Sequence, residues 1–274
     1  MKLYTFFFLC VLAFAFTGCE DVIDVNLNTA KPKLVIDASI QWAKGTTGSD
    51  QTIRLTTTTG YFDSTIPTVS GADVYITNSD NAKFTFTENT PNTGIYACDN
   101  FTPEIDKEYT LTVVLNGETY TASETLKSVA PITRIEQKNE GGFSGTDIQV
   151  KTFFNDPADE ENYYLFQYKT NISIIPSYDA TNDEFFNGNE FFGLYSNKDL
   201  KPGNELNIKI YGISERYFDY MSKLINIAGN TSGSPFSTPP ATVRGNITNQ
   251  TNAKNYALGY FTLSETDFRN YLIE

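Results

Sequence analysis

Short runs of alternating apolar and polar residues, separated by turn-forming residues, recur along most of this chain. Thr52-Ile53-Arg54-Leu55-Thr56-Thr57 sets Ile53 and Leu55 on one face, and Ala72-Asp73-Val74-Tyr75-Ile76-Thr77 alternates before the turn Asn78-Ser79-Asp80-Asn81. A period of two is that of strands with one buried face. Leu34–Ile40 is β-rich, Lys83–Thr87 forms another run, and Pro91-Asn92-Thr93-Gly94 leads into a strand holding Tyr96 and Cys98. Tyr109–Val113 and Glu118–Ala122 flank Asn116-Gly117, the dipeptide best suited to a two-residue hairpin turn. Strands at this spacing over 33–127 predict an Ig-like β-sandwich, without the Cys–Trp–Cys core of antibody domains.

Ser128-Val129-Ala130-Pro131 predicts a boundary, because proline holds its predecessor extended and stops a helix. Beyond it, Ile132–Glu136, Asp147–Phe154, Tyr163–Tyr168, Leu206–Ile210 and Tyr256–Leu263 continue the β pattern, and Ser264–Asp267 reads as the cap of a short final turn. Ile213, Tyr217, Met221, Leu224 and Ala228 recur with helical spacing after Ser214, a good N-cap, and before Gly229, a good stop. The expectation is an all-β fold: an N-terminal Ig-like β-sandwich, then a second β-sandwich-like domain over 131–274 with one inserted amphipathic helix at about 214–228.

The N-terminus breaks this pattern. Lys2 precedes the apolar run Leu3–Phe16, and Thr17-Gly18 leads into Cys19. This is the form of a lipoprotein signal over 1–18, with Cys19 as the site of lipid attachment; the apolar run is too short to span a bilayer. Residues 19–32 then form a lipidated tether. Glu20-Asp21 resembles a surface-export signal, which points to a cell-surface position on the outer membrane, with a periplasm-facing position as the alternative. The chain carries 33 acidic against 20 basic residues, net −13, and the leader removes only Lys2 from that balance. Nucleic acid as a partner is disfavoured, since phosphates are bound by neutralising them.

There is no histidine. Histidine-based triads, Cys–His dyads and His-ligated zinc are therefore excluded. With Cys10 in the leader and Cys19 lipidated, Cys98 remains alone and reads as a buried, inert thiol. The acidic stretches 156–161 and 179–184 invite a calcium reading but lack loop-type ligand spacing, so solvated loops are expected, with calcium as the alternative; no metal site residue is assigned and no cofactor is expected. Tyr178, Phe185, Phe186, Phe191, Phe192 and Tyr195 lie among Asn, Asp and Gly in 176–197, as either a ligand or partner contact or a core plug under a long loop. Asp63-Ser64-Thr65 matches a short O-glycosylation pattern at Ser64. Pro235–Pro240 reads as rigid loop punctuation.

Order and spacing across the chain resemble a family of Bacteroidota outer-membrane lipoproteins of unknown function. The matching segments include Cys19–Asp24, Pro32–Ile36, Val69–Val74, Val129–Ile132, Asn155-Asp156-Pro157, Tyr217–Tyr220, Pro235–Ala241, Gly245-Asn246-Ile247 and Leu258–Phe261. Genes of this family often neighbour those of TonB-dependent receptors, so the resemblance implies a TonB-dependent outer-membrane receptor as partner; it brings no catalytic residues. The leading expectation is a non-enzymatic accessory lipoprotein that captures or presents a small ligand. The alternatives are a structural or adhesive Ig-like surface module without a ligand, and a carboxylate-based glycoside hydrolase.

Overall fold

The alternating runs become strands in three sheets. In this computed structural model, residues 31–60, 63–141, 145–158, 160–229 and 243–274 are described. The leader, Cys19, nearly all of the tether and Pro235–Pro240 lie outside them. The strands of the first half are β1 (Leu34–Ala43), β2 (Gln51–Thr57), β3 (Asp73–Asn78), β4 (Lys83–Phe86), β5 (Ile95–Cys98), β6 (Glu108–Leu115) and β7 (Glu118–Thr125). Then come β8 (Ile132–Gly141), β9 (Asp147–Asn155), β10 (Tyr163–Thr170), β11 (Ser177–Asn182), β12 (Glu190–Asn197) and β13 (Glu205–Ile213). Helix α1 (Glu215–Gly229) precedes β14 (Thr248–Asn249) and the long β15 (Leu258–Leu272). The fold is all-β and sandwich-like.

A five-stranded sheet runs β14-β7-β6-β3-β4, and a three-stranded sheet runs β12-β9-β8. Both pack on one seven-stranded sheet, β11-β10-β13-β15-β1-β2-β5. Two cores result. The first is largely aliphatic, with Ile36, Ile40, Ile53, Leu55, Val74 and Leu111 fully buried. The second is rich in rings: Phe154 lies 4.7 Å from Tyr164 and 5.8 Å from Phe166, centroid to centroid.

The two cores share β15. It pairs parallel with β1 from Leu258 to Thr266 and antiparallel with β13 from Thr266 to Leu272. Its Phe261 and Leu263 belong to the first core, as do Ile247 and Ala257, while Ile273 just beyond it belongs to the second. The range 131–274 therefore does not close on itself, and Pro32–Glu274 form one compact unit. Segment 127–132 is stitched to the middle of β15: the Glu265 carboxylate accepts the Val129 amide at 2.9 Å, and that of Asp267 accepts the Ile132 amide at 2.8 Å.

Three local expectations need correction. Ser264–Asp267 is no turn, because strand neighbours on both sides satisfy its backbone and hold it extended in β15. The stretch 176–197 is no long loop, since β11 and β12 occupy most of it. The α1 stripe is displaced: Met221 is buried and Tyr217, Phe218 and Ile225 pack beside it, whereas Leu224 and Ala228 are exposed. The helix lies on the outer face of the sheet, so its contact is set by Leu165, Tyr211 and Ile213 below it. Ser214 caps it through the Tyr217 amide at 3.2 Å.

Candidate functional site

Strand alternation builds the site. In β1, Ile36, Ala38 and Ile40 enter the first core, so Asp37, Ser39 and Gln41 must face the other way. On neighbouring β15, Phe261 and Leu263 are inward, which turns Thr262 and Ser264 outward beside them. Lys209 and Tyr211 of β13 and Gln167 of β10 extend this polar row, because Ile208, Ile210, Phe166 and Tyr168 are committed to the second core. On an ordinary sandwich this face would meet water. Here α1 and β11 cover part of it and leave a cleft of about 230 Å³ walled by Tyr178, Tyr211 and Tyr217. A second hollow of about 270 Å³ continues from it over Arg54 and Ile95, sharing Asp37, Ser39 and Gln41.

Most polar groups in the cleft are held by one another. The Gln167 side chain accepts the Tyr211 hydroxyl at 3.0 Å and donates to the Tyr178 hydroxyl at 2.7 Å. The Lys209 ammonium donates to Gln41 Oε1 at 3.1 Å, and Gln41 Nε2 donates to Ser39 Oγ at 3.3 Å. Two groups stand apart. Thr262 Oγ1 and Ser264 Oγ are buried and have no hydrogen-bond partner among the described residues. Leaving a buried hydroxyl unpaired costs about 1–3 kcal/mol; Thr152, Tyr168 and Thr170 stand likewise elsewhere, and Thr262 and Ser264 are the two that line the cleft.

The electrostatics agree. Asp37 is exposed by surface area, yet the partial desolvation of its carboxyl pushes its pKa above the usual value, with Arg54 partly opposing. Burial lowers Lys209. The Tyr217 phenol is pushed up by burial and further by Tyr220, Tyr211, Tyr178 and Asp37 around it. Asp37 is the sole carboxylate among the described residues lining the cleft.

The six aromatics of 176–197 do not form one surface. Phe186 and Tyr195 are buried in the second core, where Phe186 stacks on Phe191 at 3.9 Å. Phe192 is half-buried against Phe153, with the Lys151 ammonium 4.1 Å from its ring centre. Phe185 is 90% exposed, and Tyr178 alone reaches the cleft. Ser64 is exposed on a loop where Asp63 accepts from the Thr59 hydroxyl at 2.6 Å and the Gly60 amide at 2.8 Å. Cys98 is buried, and burial raises its thiol pKa. Of the acidic stretches, the Asp156 carboxylate accepts the Tyr164 hydroxyl at 2.5 Å and the Gly188 amide at 2.9 Å, and that of Asp183 accepts the Asn162 amide at 2.9 Å. No group of three metal-binding side chains occurs among the described residues.

Sequence reasoning passed over Asp37, Gln41, Lys209, Thr262 and Ser264. Their only signal is period-two polarity on strands, which reads equally as a solvent face. It also passed over Ile174 and Ile175, 96% and 74% exposed at the tip of the β10–β11 hairpin.

The molecule is thus a β-sandwich protein with a polar, tyrosine-walled cleft on its central sheet. It belongs to the family described as Domain of unknown function (DUF4249), whose model matches residues 20–269. No curated protein matches the sequence. Among solved structures, a two-domain fibronectin type-III segment of chicken tenascin is similar at 13% identity and a TM-score of 0.22, covering 66% of this chain and 90% of that one. The chicken CNTN1 FN1–FN3 domains match at 13% identity and 0.27, and a DUF4785 family protein of Legionella pneumophila at 9% and 0.27. These two matches cover 65% and 66% of this chain but only 57% and 51% of the other.

Proposed function

We propose that this protein is a lipid-anchored, non-enzymatic binding module of the outer-membrane surface that captures a small ligand and serves a TonB-dependent transporter. The observation that carries the reading is the cleft. It gathers hydrogen-bonding groups and tyrosine rings in a partly enclosed space of about 230 Å³, smaller and more polar than most ligand pockets but with convergent polar groups that can orient a small ligand. Its chemistry suits holding rather than reacting: hydrolysis of a glycoside by carboxylates takes two acids flanking the bond, and Asp37 is the one carboxylate among the described residues lining the cleft. The leader supports anchoring through Cys19, and the family resemblance supports a transporter partner. Exposed Ile174 and Ile175 supply an apolar tip suited to a protein partner.

Affinity purification of the full-length protein from native membranes tests the assignment. A TonB-dependent barrel should co-purify, and its absence counts against the accessory role. Metabolic labelling with a palmitate analogue should mark the wild type and not Cys19→Ala. The alternative of a structural module draws on the burial of Phe186 and Tyr195, which removes them from any contact surface.

A further inference from the structure

We propose that the cleft between α1 and the outer face of the seven-stranded sheet binds a neutral, hydroxyl-rich ligand of the saccharide class. The proposal rests on the capture reading above and names what is captured.

The inventory of donors and acceptors selects the ligand. A carboxylate such as Asp37 only accepts, and an ammonium such as Lys209 only donates. The unpartnered hydroxyls of Thr262 and Ser264 can each do both. A ligand anion meets Asp37, and a ligand cation is opposed by Arg54 of the adjoining hollow and by the Lys209 ammonium held beside the cleft by Gln41. A hydroxyl satisfies every one of these groups, and several hydroxyls on one small frame satisfy them together. Burying the two orphan hydroxyls is costly in the free protein, and a ligand hydroxyl bonded to each recovers that cost in the complex.

The walls supply the second half of the recognition. Sugars present flat C–H faces as well as hydroxyls, and tyrosine rings give apolar area at small loss of side-chain freedom. Gln167 bonds both Tyr178 and Tyr211, so these two rings are fixed before any ligand arrives. The Lys209 ammonium sits 5.7 Å from the Tyr211 ring and is already aimed across the sheet by Gln41. A zwitterionic dipeptide can meet Asp37 and Lys209, but it offers fewer groups that both donate and accept.

Saturation-transfer NMR on the full-length protein in a non-glycosidic detergent tests the proposal. The probes are maltose, cellobiose, xylobiose, N,N′-diacetylchitobiose and the dipeptide Ala-Ala. Saturation should reach the ring protons of at least one sugar and not the dipeptide. The double variant Thr262→Val/Ser264→Ala should weaken that sugar at least ten-fold while its unfolding midpoint stays level or rises. Saturation of Ala-Ala alone, of no sugar at all, or of sugar equally in the variant overturns the assignment. A co-purifying barrel with no sugar signal removes the ligand class and leaves the accessory role; a sugar signal with no barrel does the reverse.

Discussion

The two faces of the seven-stranded sheet are made by the same strands and obey opposite rules. Under β1 and β15 the inner face is closed by Ile36, Ala38, Ile40, Phe261 and Leu263, with no unpaired polar atom among them. One residue along, the outer face carries Asp37, Ser39, Gln41, Thr262 and Ser264, partly roofed by a helix and only partly satisfied. Burial alone therefore does not distinguish a core from a site. Buried hydroxyls without a partner among the described residues also occur at Thr152, Tyr168 and Thr170, so it is their place in a cleft that sets Thr262 and Ser264 apart.

The sharpest way to break the comparison is at the backbone both faces share. Gly259 has φ +96°, and a Cβ there would fall 2.0 Å from the Ile36 carbonyl oxygen. Gly259→Ala should cost about 3 kcal/mol or more in urea unfolding, since both the left-handed backbone and the β1–β15 contact oppose the methyl. Close behind comes the inner face itself. Phe261→Ala should lose about 3–5 kcal/mol by the same measurement, the range for emptying a packed ring site.

On the outer face the sign reverses. Thr262→Val and Ser264→Ala remove hydroxyls that nothing among the described residues satisfies, so each should leave stability unchanged or raise it by about 1 kcal/mol. A loss as large as that of Phe261→Ala would show the hydroxyls to be structural. Asp37 gives a smaller effect with a pH signature. Its pKa is raised in the folded state above the ordinary value of 3.8, so the fold holds this proton more tightly than the unfolded chain does. Asp37→Asn should therefore stabilise slightly at neutral pH. The gain should shrink as pH falls through the raised value and vanish below the unfolded one. Smallest of all, Phe185→Ala should fall within about 0.5 kcal/mol in thermal unfolding, because its ring packs on nothing that folding needs.

What the sequence made legible was local. Asn116 and Gly117 have φ of 50° and 80°, the hairpin geometry that their side chains favour, and β6 and β7 pair across them. Ser214 caps α1 for the same reason: the signal and the structure are a few residues apart. The cleft was illegible because its parts are distant. Ser39 meets Thr262 only when the first strand and the last lie side by side, and nothing in either segment announces the other. Polar residues at every second position look solvent-facing until α1 is laid over them. The cluster of rings in 176–197 was legible only as a choice between contact surface and core. Their proximity in sequence conceals that the turn before β12 and the alternation along it send Phe186, Phe191 and Tyr195 inward and leave Phe185 outside.

The parallel pairing of β1 with β15 also orders events in time. A chain emerging N-terminus first presents β1 long before β15, its parallel neighbour. Until residues 258–272 arrive, β1 has one open edge, the first core lacks Phe261 and Leu263, and Val129 and Ile132 lack the carboxylates that receive their amides. The first half cannot finish folding on its own schedule, and an exposed strand edge invites wrong partners while it waits. A chain truncated before Leu258 loses more than its tail: both sandwiches are left without the strand that joins them.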